Sequence, residues 1–372
     1  FKTLAPVELT IPVMQNLIKR AGIDPVIIDD VIWGCNYQRT YKENNLARVA
    51  AVKAGLPVTV PGITIHRNCT SSMSAIQMGF YQIRAGEAEC IMAGGSDSMS
   101  TAPHMVFNAR YGQKYGHMEM RDSMWDSLTN LGVGPAMGIT AENVADKYDI
   151  TREQMDAYSL RSQQRAVAAI DAGRFEEEII PVTVKSRKSE TVYPVDEYPK
   201  RNATLEGLQK LKPAFKEGGK VTAGNASGMN DASSGVILMS EEKAKELGCP
   251  IMAKVVSVAT TGVEPELMGI GPISSTKKAL EKAGLTVDDI DLFEINEAFS
   301  SQCLACQKEL GVPDEKLNVN GGGISLGHPV GATGSRIVIT LMYELKRRKQ
   351  RYGVATLCAG GGMGTTVVIE MC

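Results

Sequence analysis

Residues 17–36 read LIKRAGIDPVIIDDVIWGCN, and residues 279–296 repeat the same pattern as ALEKAGLTVDDIDLFEIN. In each stretch, helical periodicity is followed by Ala-Gly, an acidic turn and an apolar run that is typical of a buried strand. Gly22 and Gly284 stand where the end of a helix favours a left-handed backbone conformation. The repetition predicts two similar halves within one chain.

Both copies lead to a reactive side chain at nearly the same distance. Cys69 lies 33 positions after Asn36, and His328 lies 32 positions after Asn296. Each copy then continues through a helical stretch into an apolar strand that ends in glycines. Strands that alternate with helices predict a layered α/β fold with parallel strands, and the duplication predicts a pseudo-twofold axis. Reactive groups from the two halves are therefore expected to meet between them.

A segment of different character, rich in Met, Tyr and charged residues, separates the two copies. It contains a capping-box pattern, TREQ, from Thr151, which predicts the start of a helix. We expect an N-terminal half at residues 1–99, an inserted loop domain at 100–223, a return to the N-terminal half at 224–249 and a C-terminal half at 250–372. The insert is the expected location of substrate specificity.

Composition excludes several classes of protein. Of 372 residues, 43% are hydrophobic and 22% are charged, which excludes a disordered chain. A net charge of −2, from 40 basic and 42 acidic residues, gives no electrostatic footprint for binding nucleic acid or a membrane surface. No run reaches the ~18 apolar residues of a membrane-spanning helix. We expect no signal peptide.

The cysteines predict a reducing environment. The chain has eight, in apolar or glycine-rich segments without the spacing of a disulfide framework. We expect free thiols and a cytoplasmic location of the bacterial type, with an organelle matrix as the alternative. Cys303 and Cys306 form a lone C-x-x-C on one helix face, without a second pair or a nearby histidine. They are interpreted as buried small hydrophobic residues, and no metal site is expected.

Cys69 is the candidate nucleophile. It stands in NCTSSMSA, residues 68–75, where small polar residues precede a helical stretch. The N-terminus of a helix lowers the pKa of a thiol and so favours the nucleophilic thiolate. A buried structural cysteine is the alternative, but the position before a helix and the duplicated spacing favour a nucleophile.

Two further residues have the chemistry to assist it. His328 lies in NVNGGGISLGHPVGATGSR, residues 318–336, where glycines let the backbone approach a ligand closely. A histidine beside a cysteine is the usual base for thiolate formation. Cys358 ends an apolar strand in LCAGGGMG, residues 357–364. A thiol there can transfer protons, and the amides that follow can stabilise an oxyanion.

Polar residues end another strand. Asn296 and Glu297 lie in INEAF, residues 295–299, and an asparagine there can hold a water against a developing oxyanion. The string VTAGNASGMNDASSG, residues 221–235, lets the backbone approach a flat or extended ligand. It lacks the phosphate-loop and dinucleotide patterns, so nucleotide hydrolysis and hydride transfer lose support.

Five motifs together resemble the thiolase family, in order and over nearly the whole chain: NCTSSMSA, NASGMNDASSG, INEAF, NVNGGGISLGHPVGATGSR and LCAGGGMG. The resemblance implies a duplicated fold of α-β-α-β-α layers, with two similar halves and an inserted loop domain. It also implies an acyltransferase that acts on thioesters of coenzyme A.

The resemblance implies a ping-pong reaction with an acyl-cysteine intermediate. Cys69 takes an acyl group from one acyl-CoA while His328 activates the thiol. Cys358 removes a proton from the α-carbon of a second acyl-CoA, and the carbanion attacks the thioester on Cys69. The amides of Cys69 and Gly360 form one oxyanion hole, and His328 with a water held by Asn296 forms the other. The reverse reaction is thiolysis.

By the same resemblance, CoA and acyl-CoA are the small-molecule partners, and no cofactor is bound permanently. The residues expected to contact CoA or the acyl group are small residues near the glycine-rich string, two basic residues, and side chains that shape the acyl pocket: Ala223, Ser227, Lys200, Arg201, Leu128, Met137, Met268 and Ala298.

The acyl-chain length is less clearly indicated by the motifs. Short-chain members usually carry a histidine before the methionine of an MG motif, where this chain has Ala136 before Met137. Met137 and Met268, at positions that narrow the pocket, favour the short-chain branch. We expect acetyl-CoA C-acetyltransferase activity, with a broader-chain 3-ketoacyl-CoA thiolase of fatty-acid β-oxidation as the alternative.

Two other functions fit the sequence less well. A 3-oxoacyl synthase acting on carrier proteins would pair its cysteine with two histidines, whereas Cys358 occupies the third position here. A CoA-binding relative without chemistry would have lost a reactive residue, and Cys69, His328 and Cys358 are all present.

The family pattern also bears on the N-terminus and on assembly. Thiolases begin with a strand of the SAVRTPIG kind before the segment that opens here as FKTLAPVEL. We therefore expect the first strand of the N-terminal half to be absent. The family forms homo-oligomers, dimers or tetramers, and residues 111–125 are the expected contact loop.

Overall fold

The computed structural model describes residues 1–39, 42–185 and 189–372. The helices are α1 Pro6–Ala21, α2 Leu46–Ala54, α3 Ser71–Arg84, α4 Ser123–Thr129, α5 Met137–Lys147, α6 Arg152–Asp171, α7 Leu205–Gln209, α8 Glu241–Glu246, α9 Gly271–Ala283, α10 Ser300–Leu310, α11 Gly323–Leu326 and α12 Thr333–Arg348. The strands are β1 Asp30–Gly34, β2 Gly62–Ile65, β3 Cys90–Ser98, β4 His104–Val106, β5 Met120–Asp122, β6 Val182–Lys185, β7 Glu190–Tyr193, β8 Asp231–Met239, β9 Ala253–Gly262, β10 Leu292–Ile295, β11 Tyr352–Ala359 and β12 Met363–Met371.

Two four-stranded sheets form the two halves. The first has the order β2-β1-β3-β8, and the second has the order β10-β11-β12-β9. Their central registers correspond, since Gly34 of β1 lies opposite Gly95 of β3, and Ile295 of β10 lies opposite Thr356 of β11. The predicted pair of similar halves is confirmed.

The expectation of parallel strands holds only for part of each sheet. β1 runs parallel to β2 and β3, and β10 runs parallel to β11, but β8, β12 and β9 are antiparallel to their neighbours. A short glycine turn joins β11 to β12, with Gly361 and Gly362 at φ values of 86° and 82°. Such a tight connection can only return the chain antiparallel, whereas parallel strands need a long crossover.

Five layers result from the packing of helices on both sheets. α1 and α2 pack on the outer face of the first sheet, and α9 and α10 pack on the outer face of the second. α3 and α12 form the central layer, where their apolar side chains share one core with both sheets. The layered fold predicted from the resemblance is confirmed.

The first turns of α3 and α12 are in very close contact. A Cβ atom on Gly334 would lie 2.5 Å from the backbone nitrogen of Met73. The backbone N–H of Ser335 donates to Oγ of Ser72 at 2.9 Å. Because these turns directly follow the segments of Cys69 and His328, the contact brings the two reactive segments together.

The predicted helix ends are observed. Gly22 and Gly284, which end α1 and α9, both have φ of 67° in the left-handed region. Thr151 accepts a hydrogen bond from the backbone N–H of Gln154 at 3.3 Å, and the Gln154 side chain accepts from the Thr151 backbone at 2.9 Å. These are the reciprocal bonds of a capping box at the start of α6.

The segment between β3 and β8 carries two hairpins, β4–β5 and β6–β7, and the helices α4 to α7. β8 then returns to the first sheet and pairs with β3 along its length. The domain bounds at residues 99, 223 and 249 stay a prediction. Among the described residues, none of the helices is both long and apolar enough to cross a membrane.

The two sheets differ at their edges. β12 pairs on both sides, with β11 and β9, whereas within the described residues β8 pairs only with β3. A groove of about 1980 Å³ lies beside β8, and its lining includes residues of that strand and of α12. The first sheet therefore has no counterpart of β9 in the described part of the chain.

A close contact between α9 and β12 provides a test of this packing. A Cβ atom on Gly364 would lie 2.1 Å from the carbonyl oxygen of Gly271. We expect Gly364→Ala to lower the free energy of unfolding by about 1–3 kcal/mol, because the backbone of α9 would have to move. The midpoint of thermal unfolding, followed by circular dichroism, measures this.

Gly262→Ala is the matched control on the neighbouring strand, since the nearest atom to its added Cβ is 3.8 Å away. This control should change stability by less than about 0.5 kcal/mol. Equal effects of the two substitutions would contradict the packing described for α9 and β12.

Candidate active site

The loop between β2 and α3 carries Cys69 and is bound to the opposite half. Asn68 has φ of 46°, a left-handed conformation that asparagine tolerates better than most residues. Its Nδ2 donates to the carbonyl oxygen of Gly360 at 2.7 Å. This bond joins the segment of Cys69 to the glycine turn that follows Cys358.

Cys69 precedes the first turn of α3, as the sequence predicts, but the expected lowering of its pKa is wrong. Burial raises the pKa of the Cys69 thiol to about 11. The backbone amides of Gly360 and of Cys69 itself act in the opposite direction, and the charge of Asp97 adds to the increase. In this site desolvation outweighs the helix terminus, so the resting thiol is protonated.

His328 lies between α11 and α12 with one ring nitrogen engaged. Nδ1 is 2.7 Å from Oγ1 of Thr333, whose hydroxyl donates to the carbonyl oxygen of Pro329 at 2.8 Å. A hydroxyl has one hydrogen, so Thr333 accepts from Nδ1–H. Burial, with the charge of Arg336, lowers the pKa of His328 to about 3. The imidazole is neutral, with Nε2 available as a base.

The backbone of His328 is held by the glycine-rich string of the first half. Its N–H approaches the side-chain oxygen of Asn230 at 3.2 Å and the carbonyl oxygen of Gly228 at 3.3 Å. The string predicted to approach a ligand therefore supports the backbone of His328.

The side chains of Asn296 and Glu297 contact different parts of the structure. Nδ2 of Asn296 is 3.4 Å from each ring nitrogen of His328, and Oδ1 of Asn296 has no hydrogen-bond partner among the described residues. The carboxylate of Glu297 instead accepts hydrogen bonds from the hydroxyls of Tyr158 at 2.9 Å and Ser162 at 2.6 Å. Asn296 faces the reactive residues, whereas Glu297 stabilises the packing of α6 beneath them.

Cys358 ends β11 and is fully buried. Burial raises the pKa of its thiol well above the usual value, and the nearby Cys69 adds to the effect. Gly360 lies close to two apolar side chains, because a Cβ atom there would be 3.0 Å from Leu131 and 3.4 Å from the sulfur of Met137. A substrate carbon beside the Gly360 amide would contact these side chains.

The residues predicted to shape the acyl pocket lie partly together. Met268, Ala298 and Cys358 belong to one buried cluster, and Met137 packs against it. Leu128 is half-buried on α4, outside that cluster. Met137, Met268 and Ala298 thus lie together with Cys358, and their role in an acyl pocket stays a prediction.

The residues predicted to contact CoA differ in their exposure and in their partners. Ser227 lies against the INEAF segment, where its N–H donates to the carbonyl of Ala298 at 3.0 Å, and Ala223 is exposed nearby. The ammonium of Lys200 lies 5.9 Å from the centre of the Tyr198 ring. Arg201 is exposed and forms an ion pair with Asp171 at 2.8 Å. A role for these residues in CoA binding stays a prediction.

Several residues that support the site could not be identified from the sequence. Asn68, Asn230 and Thr333 lie within the quoted motifs, but the motifs do not indicate which group each side chain would hydrogen-bond. Asp97 was missed because it lies near the end of β3, where a single acidic residue in the sequence resembles an ordinary turn residue.

The arrangement has the parts needed for acyl transfer through a thioester. A thiol lies beside two backbone amides, a neutral imidazole offers a free nitrogen, and a second thiol lies close to the first. The amides can stabilise an oxyanion, and the imidazole and second thiol can move protons. In the described part of the chain, no group of three or more His, Cys, Asp or Glu side chains is placed to hold a metal ion.

Comparison with known families gives matches over almost the whole chain. The model described as thiolase, N-terminal domain, matches residues 1–242, and the model described as thiolase, C-terminal domain, matches residues 249–371.

Individual proteins match at high identity. An acetyl-CoA acetyltransferase of Syntrophomonas wolfei is 50% identical, over 99% of this chain and 94% of its own length. One of Pseudomonas aeruginosa is 47% identical, over 97% of this chain and 92% of its own.

Solved structures match closely as well. The acetyl-CoA acetyltransferase of Bacillus anthracis superposes with a TM-score of 0.97 at 48% identity, covering 100% of this chain and 94% of that one. Human mitochondrial 3-ketoacyl-CoA thiolase in complex with CoA superposes with a TM-score of 0.96 at 42% identity, covering 100% and 93%.

The raised pKa of Cys69 leads to a prediction for chemical modification. Because the thiolate is the reactive form, alkylation by iodoacetamide should accelerate about tenfold per pH unit from about pH 7 to about pH 10. The raised pKa, about 11, means that the rate should still be rising at the top of this range. Peptide mass spectrometry measures the rate, with the exposed Cys372 as an internal reference. A plateau in the rate near neutral pH would contradict the protonated resting thiol.

Proposed function

The chain belongs to the thiolase family, and we propose that it is an acetyl-CoA C-acetyltransferase that reversibly condenses two acetyl-CoA into acetoacetyl-CoA and CoA. The observation that carries the proposal is the position of Cys69 beside the Gly360 amide and close to Cys358, with the segment of His328 packed against the segment of Cys69. The names and identities of the bacterial relatives support the same activity.

In the first half-reaction, the sulfur of Cys69 attacks the carbonyl carbon of one acetyl-CoA. Nε2 of His328 takes the thiol proton as the bond forms, since the thiol is protonated at rest. The amides of Cys69 and Gly360 stabilise the oxyanion. The carbon–sulfur bond to CoA then breaks, and Cys358 gives its proton to the departing CoA thiolate.

In the second half-reaction, Cys358 is a thiolate and removes an α-proton from a second acetyl-CoA. The pKa of the Cys358 thiol is raised well above its usual value, so its conjugate thiolate is a strong base, as a weakly acidic carbon requires. A water held by Asn296 and the proton now on His328 stabilise the enolate oxygen. The α-carbon attacks the acetyl group on Cys69, and acetoacetyl-CoA forms as the carbon–sulfur bond to Cys69 breaks. The departing sulfur regains its proton from His328, which restores the resting site.

The acyl pocket supports a short substrate. Met268 is buried in the cluster that contains Cys358, and the sulfur of Met137 lies close to Gly360. Both side chains take up space where a longer acyl chain would extend. A broader-chain thiolase is the second candidate, because Ala136 stands where the short-chain pattern has a histidine, and the human 3-ketoacyl-CoA thiolase is also similar.

We propose that CoA lies along Ser227 and Ala223, with Lys200 or Arg201 near its phosphates and with no permanently bound cofactor. The CoA complex of the human structural relative supports CoA as the ligand of this fold. Lys200 is connected to the site through Tyr198, whose hydroxyl would be 2.2 Å from a Cβ on Gly228.

We also propose a homo-oligomer, a dimer or tetramer. The insert exposes large apolar side chains near one another in sequence, with Tyr111 88% exposed, Tyr115 94% and Trp125 65%. Burial of such a surface against a second copy would remove it from water. A cytoplasmic location is proposed from the bacterial relatives.

The proposed activity is tested by CoA-dependent cleavage of 3-oxoacyl-CoA substrates of four, six and twelve carbons. We expect kcat/KM for acetoacetyl-CoA to exceed that for the longer substrates at least tenfold, an effect of ~1.4 kcal/mol. Cys69→Ser should lower the rate at least a thousandfold, because the hydroxyl is a poor nucleophile here. Cys372→Ser, at an exposed position, is the control. Preferred cleavage of the long substrates would favour the second candidate, and an active Cys69→Ser variant would refute the mechanism.

The role of Met137 is tested by enlarging the pocket. We expect Met137→Ala to raise the ratio of kcat/KM for 3-oxohexanoyl-CoA over acetoacetyl-CoA by about tenfold, because space for about two methylenes is worth ~1.6 kcal/mol. Met137→Leu keeps the volume and should leave the ratio near that of the wild type. An unchanged ratio in the alanine variant would show that Met137 does not limit chain length.

A further inference from the structure

Asp97, near the end of β3, is a buried carboxylate that takes no part in the proposed chemistry. It is 0% exposed, and burial raises its pKa while hydrogen bonds from neighbouring amides act in the opposite direction. Each hydrogen bond that reaches it from the described residues comes from a neutral group. A buried charge without a cation is costly, so its surroundings must compensate for it.

Both oxygens of Asp97 hold the segment that follows β1. Oδ1 accepts from the backbone N–H of Asn36 at 2.9 Å and of Tyr37 at 3.0 Å, and from the thiol of Cys35 at 3.3 Å. Oδ2 accepts from the side chain of Asn36 at 3.1 Å. The same Asn36 amide group also donates to the carbonyl of Asn68 at 3.2 Å. Asn36 therefore connects the carboxylate of Asp97 to Asn68, the residue that precedes Cys69.

The other connection of Asp97 reaches the opposite half. Oδ2 accepts from the backbone N–H of Gly331 at 2.6 Å, three residues after His328. There is no room for a side chain at this contact, since a Cβ on Gly331 would lie 2.7 Å from Oδ2. A Cβ on Gly95 would lie 2.0 Å from the carbonyl oxygen of Gly331. The loop of His328 is thus pressed directly against the end of β3.

A carboxylate suits this position better than an amide would. Its two oxygens only accept, and together they offer about four lone-pair sites, which matches donors that arrive from both halves. An asparagine would turn an N–H₂ group toward at least one existing donor. Gly331 or Asn36 would then lose its acceptor, and the loop would move.

Asn36 and Asn296 occupy corresponding places in the two sequence copies but act differently. Asn296 reaches the ring of His328, whereas Asn36 reaches a backbone carbonyl next to Cys69. The first copy therefore uses its asparagine, through Asp97, to place the main chain.

We propose that Asp97 is a positioning residue that sets the distance between the thiol of Cys69 and the imidazole of His328 by binding the loops of both halves. This inference rests on the proposed acyl transfer at Cys69. Asp97 contacts neither substrate nor the reacting atoms, and it acts through Asn36 and Gly331.

Asp97→Asn is expected to change two rates in opposite directions. We expect kcat for acetoacetyl-CoA cleavage to fall about a hundredfold with KM nearly unchanged, because a displacement of about 1 Å between reacting groups has this effect. Alkylation of Cys69 by iodoacetamide, which needs no histidine, should become about threefold faster or more, because a nearby negative charge is removed. Asp30→Asn, at the start of β1, is the control and should change neither rate.

Two further variants keep the test decisive if Asp97→Asn is unstable. Asn36→Ala removes the link to Asn68 and should lower kcat in the same way, and combining it with Asp97→Asn should add little further loss. Asp97→Glu keeps the acceptors and should retain more activity than Asp97→Asn. Protection of the buried Cys90 from alkylation reports an intact fold.

Wild-type protein that cleaves acetoacetyl-CoA, with an inactive Cys69→Ser variant, establishes the proposed function separately. Given that activity, kcat of Asp97→Asn within threefold of wild type would overturn the positioning role. Loss of activity accompanied by exposure of Cys90 in both Asp97→Asn and Asn36→Ala would overturn it too, since Asp97 would then only support the fold.

Discussion

The contact between the first turns of α3 and α12 is the constraint on which the site depends. Gly334 can lie against the backbone of Met73 only because it has no side chain. The two helices form the central layer, and each begins just after a reactive residue. Their close approach therefore joins the sheets and brings together the segments of Cys69 and His328, which are far apart in sequence. The outer helices then need only cover the remaining faces of the sheets.

The same packing determines the electrostatics of the site. Burial keeps the thiols protonated and the imidazole neutral, so Cys69, Cys358 and His328 are all uncharged at rest. Glu297, buried beneath the site, accepts hydrogen bonds from four donors. Charge then develops mainly during the reaction, where backbone amides are already oriented to receive it.

Much of this could be predicted from the sequence, for local reasons. Gly22 and Gly284 end helices because of backbone sterics, and the positions of Cys69 and His328 follow from the repeat. The antiparallel outer strands and the raised pKa of Cys69 could not be predicted, because both depend on tertiary packing. The partners of Thr333 and Asp97 come from distant segments or unmarked turns, which no local pattern specifies. The domain bounds and the CoA contacts stay predictions.

The pseudo-twofold arrangement of the halves has a consequence for how such a site can originate. Two identical half-length chains around a true twofold axis would present the same side chain from both loops, either two cysteines or two histidines. A nucleophile facing a base requires the two loops to differ. Fusion of the copies into one polypeptide allows each loop to vary independently, so the division of chemical labour at this site depends on both halves being encoded in one chain.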